Sequence, residues 1–150
     1  MIIVLKGYQN MILLIDTNVV LDILLRREPY YVHAAKVAVL SEKGYINCYV
    51  SASAVTDIYY IAQKELKNNE RIIALLTNLF ETFRIALVSE TCIHKALNLK
   101  WNDFEDCVQY TVGMSIDADY IITRNTKDFA AGQINAVSPE EFLDIITGNT

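Results

Sequence analysis

Apolar and polar positions along this chain switch repeatedly between two periods, and the switches mark out strands and helices in turn. The run Ile12-Leu13-Leu14-Ile15 is apolar throughout and stops at Asp16-Thr17-Asn18, the pattern of a short strand buried on both faces. A helix is predicted to follow over Val19 to Arg26. Segments 30–44, 53–66 and 69–83 carry apolar residues three and four apart, for example Val32, Ala35, Val39 and Leu40, and read as helices. Between them, Tyr45 to Val50 and Arg84 to Val88 are β-rich runs of strand length. Helical spacing returns over Glu90 to Leu99 and Asp103 to Ile116, followed by a strand at Tyr120 to Thr123. A last apolar run, Ile134 to Val137, stops at Ser138-Pro139-Glu140-Glu141. Ser as N-cap, Pro at the first helical position and Glu at the capping-box position predict a terminal helix there.

Strands alternating with helices, with no break in composition, predict one α/β domain around a largely parallel sheet. The chain has 150 residues, 53% of them hydrophobic, with five Gly and two Pro, which suits one packed core and excludes a disordered chain. Met11 directly precedes the first strand, so residues 1–10 read as an extension from an upstream start and 11–150 as the domain proper. Apolar stretches are interrupted well before the ~20 residues of a membrane span. Met1 to Leu5 is too short for a secretion signal. No G-x-G-x-x-G or G-x-x-x-x-G-K-[ST] motif is present, which argues against dinucleotide and P-loop sites. Cys48, Cys92 and Cys107 are widely spaced without C-x-x-C, and read as reduced core residues of a cytoplasmic protein. His33 and His94 sit in helical stretches without a partner at ligand spacing.

The distinctive signal is the placement of carboxylates. Asp16 ends a buried strand, where open α/β sheets bind ligands, although Asp is also an ordinary helix N-cap. Asp57 interrupts an otherwise apolar helix face that includes Ala54 and Ile61; a buried carboxylate is costly unless paired or metal-bound. Asn102-Asp103-Phe104-Glu105-Asp106 opens a helix with Asp103 and Asp106 on one face and Glu105 pointing elsewhere; helix-capping alone also explains such acids. Asp128 follows the strand ending at Thr123. Oxygen donors of this kind suit Mg²⁺ or Mn²⁺. The net charge of −5 runs against nucleic-acid binding, unless some of the negative charge holds divalent cations that invert the local field.

With these residues in view, the chain resembles the PIN domain family of metal-dependent ribonucleases, which includes the VapC-like toxins of toxin–antitoxin pairs. The resemblance spans nearly everything from Met11 onward. It is carried by Asp16-Thr17-Asn18, Asp57, Glu105-Asp106 with Val108-Gln109, and Thr123-Arg124-Asn125 with Lys127-Asp128-Phe129. It implies a three-layer α/β/α sandwich with a central, mostly parallel sheet of about five strands. Asp16, Asp57, Asp106 and Asp128 match the family's acidic quartet, with Mg²⁺ or Mn²⁺ on Asp16, Asp106 and Asp128. Asn18, Thr123 and Asn125 match supporting positions, beside Asp103 at the helix start. Two departures stand out: many members have Glu in place of Asp57, and an acid in place of Asn125. The implied activity is hydrolysis of RNA phosphodiesters, with Lys64, Lys100 and Arg124 as phosphate contacts, a cognate antitoxin as partner, and a homodimer. Tyr59, Tyr60, Leu75, Leu76, Leu79, Phe80 and Phe83 are a candidate self-association surface, or else ordinary core. A catalytically silent RNA-binding or protein-interaction module is the alternative. A phosphotransferase with Asp16 as nucleophile would need a second acid two residues on, where this chain has Asn18.

Overall fold

The computed structural model describes residues 10–148 together with Gly7; the rest of the 1–10 extension lies outside the described residues. The elements run β1 (Met11–Ile15), α1 (Thr17–Leu24), α2 (Tyr31–Glu42), β2 (Ile46–Ser51), α3 (Ala52–Leu66), α4 (Asn69–Leu79) and β3 (Arg84–Ala86). They continue with α5 (Glu90–Leu99), α6 (Phe104–Ser115), β4 (Tyr120–Ile122), a 3₁₀ turn (Thr126–Phe129), β5 (Asn135–Val137) and α7 (Pro139–Thr147). All five strands are parallel, in the order β3-β2-β1-β4-β5. This is the three-layer α/β/α arrangement.

The strand period sorts the core. Leu13 and Ile15 of β1 face the larger core, with Val20 and Leu21 of α1, Val37 of α2, Ile58 of α3, Ile72 of α4 and Phe142 of α7. Leu14 faces the smaller one, with Cys92 of α5, Val108 and Val112 of α6 and Phe129. A central strand buried on both faces leaves no polar side chain until the chain exits the sheet, and that first polar residue is Asp16. The chain winds outward from β1 through β2 to β3, then returns to lay β4 against the other side of β1. That reversal opens a crevice between the carboxyl ends of β1 and β4.

Side-chain caps mark the starts of five of the helices, whereas α2 and α3 begin without one. Asp16, Asn68, Ser89, Asp103 and Ser138 each accept a hydrogen bond from a first-turn amide of the helix that follows. Capping by Asp16 starts α1 at Thr17, two residues earlier than apolar spacing suggests. Helix α4 stops at Leu79 rather than Phe83, because Phe80 to Phe83 turn back on backbone bonds to Leu76, Asn78 and Leu79. The candidate self-association surface is largely core: Leu76, Leu79 and Phe83 are buried, Tyr59, Leu75 and Phe80 half-buried, and only Tyr60 of the seven is exposed. The three cysteines are free and buried, and burial pushes the Cys48 thiol up to about 12. Among the described residues, no helix is long and apolar enough to cross a membrane.

Candidate active site

Asp16 leaves β1 at the crevice and is 6% exposed. Its carboxylate is held by donors from three elements. Oδ1 accepts from the Thr17 amide at 2.8 Å and from Gln109 Nε2 at 2.9 Å, and Oδ2 accepts from the Thr123 hydroxyl at 2.8 Å. Thr123 Oγ1 in turn accepts from the Asn125 amide at 3.0 Å, which fixes its proton toward Asp16. The Asp16 amide donates to the Ile122 carbonyl at 2.9 Å, tying the exit of β1 to the end of β4. A carboxylate has about four acceptor positions, so this arrangement leaves Asp16 one free. Both readings of Asp16 are therefore realised, cap and crevice acid.

Asp106 stands at the third position of α6, its amide donating to the Asp103 cap at 2.9 Å. Burial pushes its carboxyl up to about 7, and the negative charges of Asp103, Asp16 and Asp128 add to the shift. Asp128, itself exposed, reaches this group from the 3₁₀ turn after β4. Glu105, the adjacent residue on α6, turns toward a partner that the sequence did not reveal. It meets Asp57 of α3, and that hydrogen bond, with burial and the charges of Asp57, Asp103 and Asp106, raises it to about 7 as well. Asp57 is half-buried at the rim rather than sunk in an apolar face, because Ser53 and Ile61 beside it are exposed. The shorter side chain therefore has Glu105 as its neighbour.

The remaining candidates divide. Asn18 lies half-buried in the first turn of α1. Lys100 lines a cleft beside Asp103, Asp106 and Asp128. Lys64 is in the last turn of α3, seven residues and so roughly 10 Å along the helix beyond Asp57, away from the crevice. Arg124 is engaged elsewhere: its Nε lies 3.0 Å from Oδ2 of Asp22, which is 1% exposed, and its guanidinium sits 3.9 Å above the Tyr30 ring. Burial raises the Asp22 pKa, and Arg124 and then Arg27 oppose the rise. Arg124 thus pins the segment after β4 to α1, which removes most of its freedom to follow a phosphate. The sequence reading missed the roles of Glu105, Gln109 and Asp22. For Gln109 a signal existed, since it lies three residues after Asp106 and shares its helix face.

Among the described residues, no three Asp, Glu, His or Cys side chains stand close enough together to hold a metal ion as they are placed. The donor chemistry nonetheless fits a hard divalent cation. Asp16 has an acceptor position to spare, and the acids around Asp106 repel one another. The Gln109 Oε1 and Thr17 Oγ1 atoms beside Asp16 are buried without a partner, as oxygens are that contact a hydrated ion.

A family model of the PIN domain matches residues 12–127, and the chain belongs to the PIN domain family. Its fold is similar to that of VapBC2 from Rickettsia felis, solved bound to a DNA fragment from the promoter, at 15% identity over 85% of this chain and 98% of that one, with a TM-score of 0.67. It is also similar to Mycobacterium tuberculosis VapC20, a Sarcin-Ricin loop cleaving toxin, at 12% identity over 80% and 95% of the two chains, TM-score 0.64. A toxin–antitoxin complex from Klebsiella pneumoniae matches at 24% identity over 84% and 96%, TM-score 0.62. No curated protein matches the chain.

Proposed function

We propose that this protein is a divalent-metal-dependent endoribonuclease, the toxin member of a toxin–antitoxin pair. The observation that carries the reading is the pairing, across the β1–β4 crevice, of a donor-bound carboxylate, Asp16, with a carboxyl crowded by acids, Asp106. Asp16, Asp106 and Asp128 would hold Mg²⁺ or Mn²⁺. When bound, the ion polarises the scissile phosphate and lowers the pKa of a water. Gln109 and Thr123 keep Asp16 in one orientation, with an acceptor position to spare. Asp57 and Glu105 stand side by side at the rim, where their carboxyls can order solvent near the attacking water or the leaving group.

The antitoxin partner is supported by the company the fold keeps: VapBC2 and the Klebsiella pneumoniae structure are both toxin–antitoxin assemblies. A homodimer and a cytoplasmic location, where three free buried cysteines stay reduced, complete the proposal.

The test is cleavage of a mixed RNA pool by purified protein with Mg²⁺ or Mn²⁺, with EDTA, and with Asp16→Ala. Metal-dependent cleavage lost in the variant supports the reading. Equal cleavage by both proteins identifies a contaminant. A folded protein that binds RNA and never cleaves it, with or without metal, is the silent module instead.

A further inference from the structure

A cleft of about 430 Å³ opens beside the acids, a volume within the ~300–1,000 Å³ of small-ligand pockets. Three acids, Asp103, Asp106 and Asp128, line it together with Lys100, Trp101 and Lys127. Both lysines are exposed and Trp101 is half-buried.

The indole is held in place from behind. Helix α5 closes at Lys100 with φ at +56°, a left-handed cap that a non-glycine residue adopts at some cost, and the next residue is Trp101. Its ring stacks on Tyr110 of α6, with centroids 4.8 Å apart and planes at 25°, and meets Phe129 edge to face at 6.4 Å. The Tyr110 hydroxyl accepts from the Gln133 amide at 3.0 Å. Beside it, a Cβ on Gly132 would stand 2.5 Å from the Tyr110 ring, so a glycine is what admits this close approach.

A rigidly backed aromatic ring with mobile ammonium groups in the same cleft is how single-stranded nucleic acid is held: the base stacks and the phosphates pair with the cations. Charge separates this occupant from a simple anion. The acids in the cleft outweigh its two lysines, so a ligand whose only asset is negative charge gains little there, whereas a base adds stacking that carries no charge. Resting on the ribonuclease reading above, we propose that this cleft is a nucleoside subsite beside the scissile phosphate. In it one base of single-stranded RNA stacks on Trp101, and Lys100 and Lys127 contact the flanking phosphates.

Trp101 is the one tryptophan of the chain, so its fluorescence reports occupancy independently of cleavage. Asp16→Asn protein leaves RNA intact, and the substitution lies outside the cleft lining. In that background, short single-stranded oligo(A), oligo(U) and oligo(C) ribonucleotides are expected to quench the emission saturably, and inorganic polyphosphate is not. In the wild-type background, Trp101→Leu is expected to raise the KM for cleavage roughly 5- to 160-fold with a smaller change in kcat, the range for losing one base–aromatic stack, and Trp101→Phe to recover most of it. Lys127→Ala is expected to lower the salt slope of RNA binding by about 0.7. If Trp101→Leu fails to fold, the fluorescence of the unaltered ring and the Lys127→Ala slope decide. Cleavage by wild type with emission unmoved by any oligonucleotide overturns the subsite and leaves the ribonuclease reading standing. Equal quenching by polyphosphate overturns the stacking. Saturable quenching by oligonucleotides with no cleavage by wild type keeps the subsite and removes the ribonuclease reading.

Discussion

Asp16 and Asp106 face the same crevice from opposite surroundings. Asp16 accepts three hydrogen bonds, from Thr17, Gln109 and Thr123, and so has its orientation set by the fold itself. Asp106 is crowded by Asp103, Asp16 and Asp128, and burial together with those charges holds its carboxyl near pH 7. Hydrogen bonds to a charged group contribute about 1.5–3 kcal/mol each, whereas clustered carboxylates oppose one another until a cation arrives. One half of the site is built for the folded chain, the other for its ligand.

The two halves are therefore expected to respond in opposite ways to removal. Asp16→Ala and Asp106→Ala should each abolish cleavage in the RNA assay. In thermal melts without metal they diverge. Asp16→Ala strands the buried Gln109 and Thr123 donors, at about 1–3 kcal/mol per group, and lowers Tm. Asp106→Asn relieves repulsion and raises Tm at pH 8. A fall in Tm for both would break the comparison.

Proton linkage sharpens it. Asp106 and Glu105 are raised to about 7 from ordinary values of 3.8 and 4.5, so the folded protein binds more protons than the unfolded chain between those limits. Their contribution to stability is fully present at acid pH and declines as pH rises from about 4 to about 7, levelling above it. The Tm advantage of Asp106→Asn over wild type should grow across the same window. Mg²⁺ should raise the wild-type Tm at pH 8 by binding the folded state, and should raise that of Asp106→Asn less.

Smaller effects follow from the supports. Gln109→Ala leaves the acid in place but frees its orientation, so kcat should fall with little change in KM, alongside a stability loss of about 2 kcal/mol on denaturation. Asp103→Ala removes the α6 cap and should cost about 1 kcal/mol while cleavage persists. Loss of cleavage in a folded Asp103→Ala protein would place Asp103 among the ligands instead.

Much of this architecture is legible in the chain because local pattern and tertiary role coincide. The Ile12–Ile15 run is apolar on both faces because β1 is central, and its abrupt end at Asp16 marks the crevice. Ser138-Pro139 announces α7 for purely local reasons. Glu105 was illegible because its partner is Asp57, 48 positions earlier in the numbering: only the packing of α3 beside the start of α6 decides which way a first-turn side chain is useful. Arg124 misled for a similar reason. A basic residue beside a strand end resembles a phosphate contact, and nothing local reveals the buried Asp22 that claims it. Tyr59 to Phe83 looked surplus because sequence alone does not show how much apolar surface a pair of packed helices covers.

The attachments of Asp16 extend beyond its side chain. Its amide binds the Ile122 carbonyl, its carbonyl accepts from Val19 and Val20, and its carboxylate reaches α6 and the segment after β4. The edge around this residue therefore has no low-energy way to open by itself. In native-state hydrogen exchange, the amides of Asp16, Thr17 and Asn125 should exchange only with the slowest, global class, while exposed turns elsewhere open far more often. The geometry of this crevice is then expected to persist for as long as the whole molecule remains folded.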